Sequence, residues 1–93
     1  MRYEVEFLDL ALREWKRLDA NTRDQFRKKL KERCEHPRVP SAKLRGSKDR
    51  YKIKLRRVGY RLVYEVEDDQ LVVLVIAVGK RDRDQIYLTA AKR

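Results

Sequence analysis

Apolar and polar positions change period along this chain, and the changes divide it into elements. Residues 2–8, RYEVEFL, alternate, with Tyr3, Val5 and Phe7 on one side and Arg2, Glu4 and Glu6 on the other. A period of two predicts a strand with one buried face. Over residues 10–18 the period lengthens, and Ala11, Leu12, Trp15 and Leu18 form one stripe of a helix that Asp9 is placed to cap. Asp19 to Asn21 breaks it. A second helix is expected from Thr22, which stands in capping-box spacing to Gln25. Phe26, Leu30 and Cys34 recur at four-residue steps along it, and His36 and Pro37 end it. Two helices with a short break predict a helical hairpin laid on a sheet.

The second half has strand periods. Residues 37–49 form a polar connection in which Leu44 can anchor to the core and Gly46 can turn. Strands are expected near 50–56, 60–66 and 71–78, with bends at Arg57–Gly59 and Glu67–Gln70. Bends this short predict an antiparallel meander. The last strand, LVVLVIAV, is apolar on both faces and so belongs in the centre of the sheet, with the N-terminal strand as its other neighbour. Residues 83–92 form a short terminal helix with Ile86 and Ala90 available for packing, and Tyr87 able to cover the core or to serve a site. The expected fold is a small α+β domain spanning residues 1–93.

Composition then narrows the partners. The 93 residues include 25 Lys and Arg against 15 Asp and Glu, a formal charge of +10, which favours polyanions. The charge is local: residues 41–60 hold eight Lys or Arg and one Asp, whereas residues 61–80 hold two and four acids. One cysteine, Cys34, excludes an internal disulfide and a cysteine-based zinc cluster. One histidine, His36, excludes a two-histidine nuclease, and neither paired carboxylates for a metal nor a phosphate-binding glycine loop is evident. The opening MRYEVEF lacks the apolar core of a secretion signal, and eight apolar residues are too few for a spanning helix. The expectation is a soluble cytoplasmic protein that engages no membrane.

The basic residues fall on one face of the predicted hairpin. In YKIKLR, Lys52, Lys54 and Arg56 alternate with Tyr51, Ile53 and Leu55; in YRLVYEV, Arg61 and Val63 oppose Tyr60, Leu62 and Tyr64. A turn at Arg57 and Val58 sets residue 54 opposite 61 and residue 52 opposite 63, so the apolar sets match. Lys54 then lies beside Arg61. Like charges facing each other destabilise a sheet, and a bound phosphate would relieve them. Arg56 and Arg57 are placed to position the backbone of a partner, as are Arg45, Lys48 and Arg50 in and after the loop. GKRDR at 79–83 brings out Lys80 and Arg81 at a strand end, with Arg83 free to pair with nearby acids.

Read together, FLDLALREWKRLD, KLRG, YKIKLRRVGYRLVYEV, VIAVGKRDRDQIY and AAKR resemble the RelE family of bacterial toxins, over nearly the whole chain. These are ribosome-dependent messenger-RNA endonucleases of type II toxin–antitoxin modules. The resemblance implies a RelE-like fold and carries the family's RNA-cleaving residues onto Lys52, Lys54, Arg61, Arg81 and Tyr87, none of them replaced. It implies cleavage of message in the ribosomal A site without a metal or other cofactor. The ribose 2′-hydroxyl attacks the adjacent phosphate, leaving a 2′,3′-cyclic phosphate and a 5′-hydroxyl. Tyr87 would orient RNA by stacking or accept the 2′-hydroxyl proton as a phenolate; Lys52 or Lys54 would be the base instead, or stabilise that phenolate. Arg61 would hold the phosphorane charge, and Arg81 the leaving 5′-oxygen. The implied partners are the 70S ribosome, its message, a RelB-like antitoxin, and operator DNA through that antitoxin alone. The basic helix 22–33 and loop 43–50 would meet ribosomal RNA, and the apolar groove between helices and sheet would dock the antitoxin. The alternatives are a catalytically weak ribosome- or RNA-binding module of the same fold, and a DNA-binding protein. Against the latter, no helix-turn-helix or ribbon–helix–helix pattern is evident.

Overall fold

A computed structural model describes residues 2–82 and 84–93. The order is β1 (Glu4–Phe7), α1 (Asp9–Lys16), α2 (Ala20–Glu35), a 3-10 turn (Pro40–Ala42), β2 (Arg50–Leu55), β3 (Tyr60–Glu67), β4 (Val72–Lys80) and α3 (Gln85–Ala91). The four strands form one sheet in the order β1-β4-β3-β2. β4 pairs with β1 in parallel and with β3 antiparallel, and β3 pairs antiparallel with β2. The predicted α+β arrangement of strand, helical hairpin, meander and short helix is therefore present, with the doubly apolar strand inside the sheet.

Both faces of β4 are covered, but unequally. On one face Val73, Val75 and Val78 join Leu62, Tyr64, Tyr51 and Ile53 under Ala11, Trp15, Phe26, Leu30 and Cys34 of the two long helices. On the other, Ile76 and Ala77 join Val63 beneath Ile86 and Ala90 of α3, with Leu44 packed alongside. Ile76 and Ala77 share this face because the β3–β4 register shifts at Val63/Tyr64. The bulge keeps the strand apolar on both sides while altering its alternation.

Helix starts differ from expectation in an instructive way. Leu8, not Asp9, is the N-cap of α1, because its amide is drawn to Val75 O of the sheet at 3.0 Å; Asp9 is the first helical residue. In α2 the cap is Asp19, whose Oδ1 accepts from the Thr22 amide at 2.9 Å, so Thr22 is a buried helical residue rather than the head of a capping box. Arg33, read as part of a basic helix surface, folds inward to donate to the Tyr64 hydroxyl at 2.8 Å and to Lys52 O at 3.2 Å. The last strand begins at Val72 and runs on to Lys80, because Leu71 takes a positive φ of 54° in the preceding turn. Gly79 and Lys80 thus belong to the sheet.

An exposed ionic knot fastens the opposite end from the basic turn. The Arg38 guanidinium bridges Asp49 at 2.8 Å and Asp68 at 2.9 Å, and the Tyr3 hydroxyl donates to Asp68 at 2.5 Å. This ties β1, the loop before β2 and the β3–β4 turn together. Hydrogen bonds from Arg38 are the main cause that holds both carboxyls below their ordinary 3.8. A lowered folded pKa means that the knot stabilises fully above that value and fails as pH falls through the depressed one. Arg38→Ala should therefore flatten the loss of thermal stability between about pH 5 and about pH 2. Melting curves of parent and variant across that window check it; parallel pH slopes would reject the assignment.

Candidate RNA-binding and active site

The β2–β3 hairpin sets the site. Lys54 lies opposite Arg61 and Lys52 opposite Val63, the register expected from alternation. Arg61 in turn lies opposite Gly79 on β4. The missing side chain there leaves room for α3, since a Cβ on Gly79 would stand 3.2 Å from Ile86 Cδ1. α3 crosses this face, and so Arg61 is only 6% exposed rather than open to solvent. One of its terminal nitrogens donates to Tyr60 O at 3.3 Å, while Nε is buried without a partner among the described residues.

Tyr87 reaches the same place from α3. Its ring packs beside the Val63–Ile76 cluster, and Lys52 Nζ lies 5.8 Å from the ring centroid. Its hydroxyl is also buried, with Arg61 near it but no hydrogen bond of normal geometry among the described residues. Two buried polar atoms without partners, an arginine Nε and a phenol, form an incomplete polar site. Burial pushes the Tyr87 phenol above 10.0, and the charge of nearby Arg61 opposes that rise. Lys54 moves the other way: the Lys52 charge chiefly lowers it from 10.5, with desolvation, Arg61 and Arg56 adding to the effect and Asp84 opposing it. The chain has thus assembled a lysine that gives up its proton more readily than usual and a phenol that keeps its proton more firmly.

The remaining predicted residues sort into two sectors. Arg45, Lys48, Arg50, Lys52 and Tyr87 line an open groove of about 1050 Å³ between the loop and α3. Arg50 departs from the expected phosphate contact, because its guanidinium is turned to protein: Nε donates to Glu65 at 3.0 Å and NH1 to Ala90 O at 2.7 Å. The second sector is the far end of the hairpin, where the Arg81 amide donates to Gly59 O at 2.6 Å. Gly59, with φ of 73°, turns the chain there. That contact brings exposed Arg56 and Arg57 to the same end as exposed Lys80 and Arg81. The expected pairing of Arg83 lies outside the described residues. Among the described residues, no group of three or more His, Cys, Asp or Glu is placed to hold a metal ion.

Two features escaped sequence reading. Arg93 also lines the groove and is bound to Glu14, a contact between residues 79 apart with no periodic signal to announce it. A separate apolar slot of about 340 Å³ lies between β1 and the helices, floored by Val5, Phe7, Trp15 and Leu30 and edged by Arg2, Arg27 and Lys31. A groove between helices and sheet was expected; its cationic edge was not. No helix among the described residues is long and apolar enough to cross a membrane.

The crowding of cations makes a direct prediction. Lys52→Met removes the largest cause of the low Lys54 pKa, so the Lys54 ammonium should titrate nearer 10.5. NMR titration of the lysine side chains reads it; an unmoved Lys54 would place the cause elsewhere.

Comparison with known proteins gives a consistent result. The family model described as ParE toxin of type II toxin–antitoxin system, parDE, matches residues 5–85. The mRNA interferase toxin RelE of Escherichia coli strain K12 is 53% identical over 93 residues, covering 100% of this chain and 98% of that protein. The free E. coli toxin RelE carrying two arginine-to-alanine substitutions is similar in structure, with a TM-score of 0.91 and 50% identity over 100% of this chain and 98% of that one. A chain of the intact E. coli RelBE toxin–antitoxin complex gives a TM-score of 0.83 at 53% identity, over 87% of this chain and 99% of that one.

Proposed function

The chain belongs to the RelE family of type II toxins, within the RelE/ParE superfamily, and we propose that it arrests translation by cutting messenger RNA in the ribosomal A site. The observation that carries this reading is the convergence of Lys52, Lys54, Arg61 and Tyr87 on one sheet face, with the Arg61 Nε and the Tyr87 hydroxyl buried and unpartnered. A relative matched over 100% of this chain and 98% of its own length is named an mRNA interferase.

The chemistry follows from the side chains. The 2′-oxygen forms a bond to the adjacent phosphorus and the bond from phosphorus to the 5′-oxygen breaks. The 2′-hydroxyl loses a proton and the departing 5′-oxygen gains one. Lys54 is the better proton acceptor, because its cationic neighbours make its own charge costly. Tyr87, its phenol raised by burial, keeps its proton in the free protein and so serves to stack on a base and donate a hydrogen bond. Arg61 faces the developing phosphorane charge with its unpartnered Nε. Arg81, exposed just beyond β4, stabilises the leaving oxygen by charge, since a guanidinium is too weak an acid to give up its proton easily. The reading calls on no metal or cofactor. Lys54 is a weak base and the 5′-oxygen takes its proton from water, so the ribosome supplies what is missing by holding the message in line. Arg45, Lys48, Arg56, Arg57 and Lys80 supply phosphate contacts around the cut, and the outward cations of α2 meet ribosomal RNA.

The silencing partner is a RelB-like antitoxin, in keeping with the E. coli RelBE complex. The apolar slot edged by Arg2, Arg27 and Lys31 suits an acidic amphipathic segment of it. Operator DNA is reached only through that antitoxin, and the site of action is the cytoplasm, where ribosomes translate.

Mapping message 5′-ends after brief expression tests the reading, and new ends should fall inside ribosome A-site codons. Arg81→Ala and Tyr87→Ala should each cut cleavage by roughly 100-fold or more, as loss of a transition-state contact does, while ribosome binding survives. Intact message at ribosome-saturating toxin would leave a binding module instead.

A further inference from the structure

We infer that Glu14 and Arg93 are positioning residues for Tyr87: their ion pair clips the far end of α3 to the sheet and so holds the phenol against Lys52. The inference rests on the reading above, in which Tyr87 works on RNA.

α3 needs an external fastening. It has seven residues and buries only Ile86 and Ala90. A helix that short does not hold its shape alone. It is entered through Asp84 at φ 59° without a side-chain cap, and its start is held by the Gln85 amide, which donates to Asp82 O at 2.9 Å, and by buried Ile86. Its far end is fastened by arginines. Arg50 donates to Ala90 O at 2.7 Å, but Arg50 also lines the RNA groove. Arg93 forms a two-pronged pair with Glu14, at 2.8 Å to Oε1 and 3.0 Å to Oε2, and also donates to Ile76 O at 3.0 Å.

Glu14 is fixed in turn by the sheet. β1 ends at Phe7, opposite Val75, so β4 runs on beyond its neighbour. The Val78 amide therefore has no strand to pair with on that side and donates to Glu14 Oε1 at 3.0 Å. The pair is largely shielded, with side-chain exposures of 16% for Arg93 and 23% for Glu14. A bidentate guanidinium–carboxylate pair in that setting fixes geometry as well as charge. The chain of contacts runs from Val78 through Glu14 and Arg93 to the end of α3, one turn beyond Tyr87. Loss of the pair leaves α3 held by buried Ile86 and Ala90 and by Arg50 at Ala90 O, a looser attachment in which Tyr87 is less firmly placed against the sheet.

Glu14→Gln keeps one oxygen for Val78 and replaces the other with an NH2 that cannot accept from Arg93, removing the charge and one prong of the pair, so it tests the clip even if Arg93→Ala fails to fold. Two readouts are needed. Turnover on ribosome-bound message should show kcat reduced about tenfold in both variants with KM within about twofold, and Arg93→Lys should recover part of it; a displacement of about 1 Å can cost up to about 100-fold. NMR titration of ζ-carbon-labelled tyrosines, with Tyr87→Phe for assignment, should show the Tyr87 phenol falling toward 10.0 as burial is lost. Unchanged kcat overturns the inference, whether or not the phenol shifts. So does a KM increase at constant kcat, which would make Arg93 an RNA contact. If the parent cuts no message, the endonuclease reading fails, and an unshifted phenol in both variants then rejects the clip by itself.

Discussion

Everything in this molecule depends on β4 being buried on both faces. A strand that apolar needs cover above and below, and the chain supplies it asymmetrically. The two long helices close one face over most of its area. The other face receives the short α3, whose buried residues are Ile86 and Ala90, with Leu44 packed alongside. The lid is too short for the sheet it covers. What it leaves open on β2 and β3 is occupied by Lys52, Lys54 and the edge of Arg61, and the groove beside it by the basic loop. The site is the uncovered remainder of a face whose apolar part is already satisfied.

That arrangement explains why like charges can sit so close. Lys54 opposite Arg61, with Lys52 beside them, works against the hairpin that carries them. The fold carries this cost because stability is concentrated elsewhere: in the Trp15–Phe26 core, in the Tyr64 hydroxyl held between Arg33 and Pro37 O, and in the Arg38 knot at the opposite end. The acids are not spread to neutralise the cations. Asp49 and Asp68 are engaged by Arg38, and Glu65 by Arg50, so the field over the open face stays positive. Such a surface is poised for a partner that brings negative charge, and binding it relieves strain already present.

How much of this is legible in the sequence depends on the range of the interaction. Alternation placed Tyr51, Ile53 and Leu55 inward and Lys52 and Lys54 outward, and two short bends set the register that puts Lys54 opposite Arg61. The double apolarity of residues 71–78 placed β4 in the centre of the sheet. Local chemistry was read less well where the sheet intervened: Leu8 displaced Asp9 as a cap because β4 claimed its amide, and Asp19 displaced Thr22. The burial of Arg61 was not legible at all, since it depends on where α3 comes to rest. Arg50 and Arg33 looked like surface cations and prove to be internal fasteners. Nothing in a run of basic residues distinguishes a guanidinium that will meet a phosphate from one that will meet a carbonyl.

That distinction is also what separates an RNA-binding surface from a reactive one. Arginines that are satisfied within the protein, such as Arg50 and Arg93, make the face rigid and add little to its chemistry. Arg61 is held as firmly by burial yet keeps a donor unmet, and Tyr87 beside it keeps a hydroxyl unmet. A buried donor left unmet is costly, and in the proposed reading a phosphate that reached it on rearrangement of the site would relieve that cost. Exposed cations such as Arg56 and Lys80 must exchange water for phosphate and gain less per contact. In the proposed reading, the outer cations suit capture and orientation, and the buried pair suits discrimination between a relaxed phosphate and one approaching five-coordination. Fasteners such as Arg50 and Arg93, exposed charges such as Arg56, and the unmet Nε of Arg61 are three uses of one residue class, sorted by what the fold lets each of them touch.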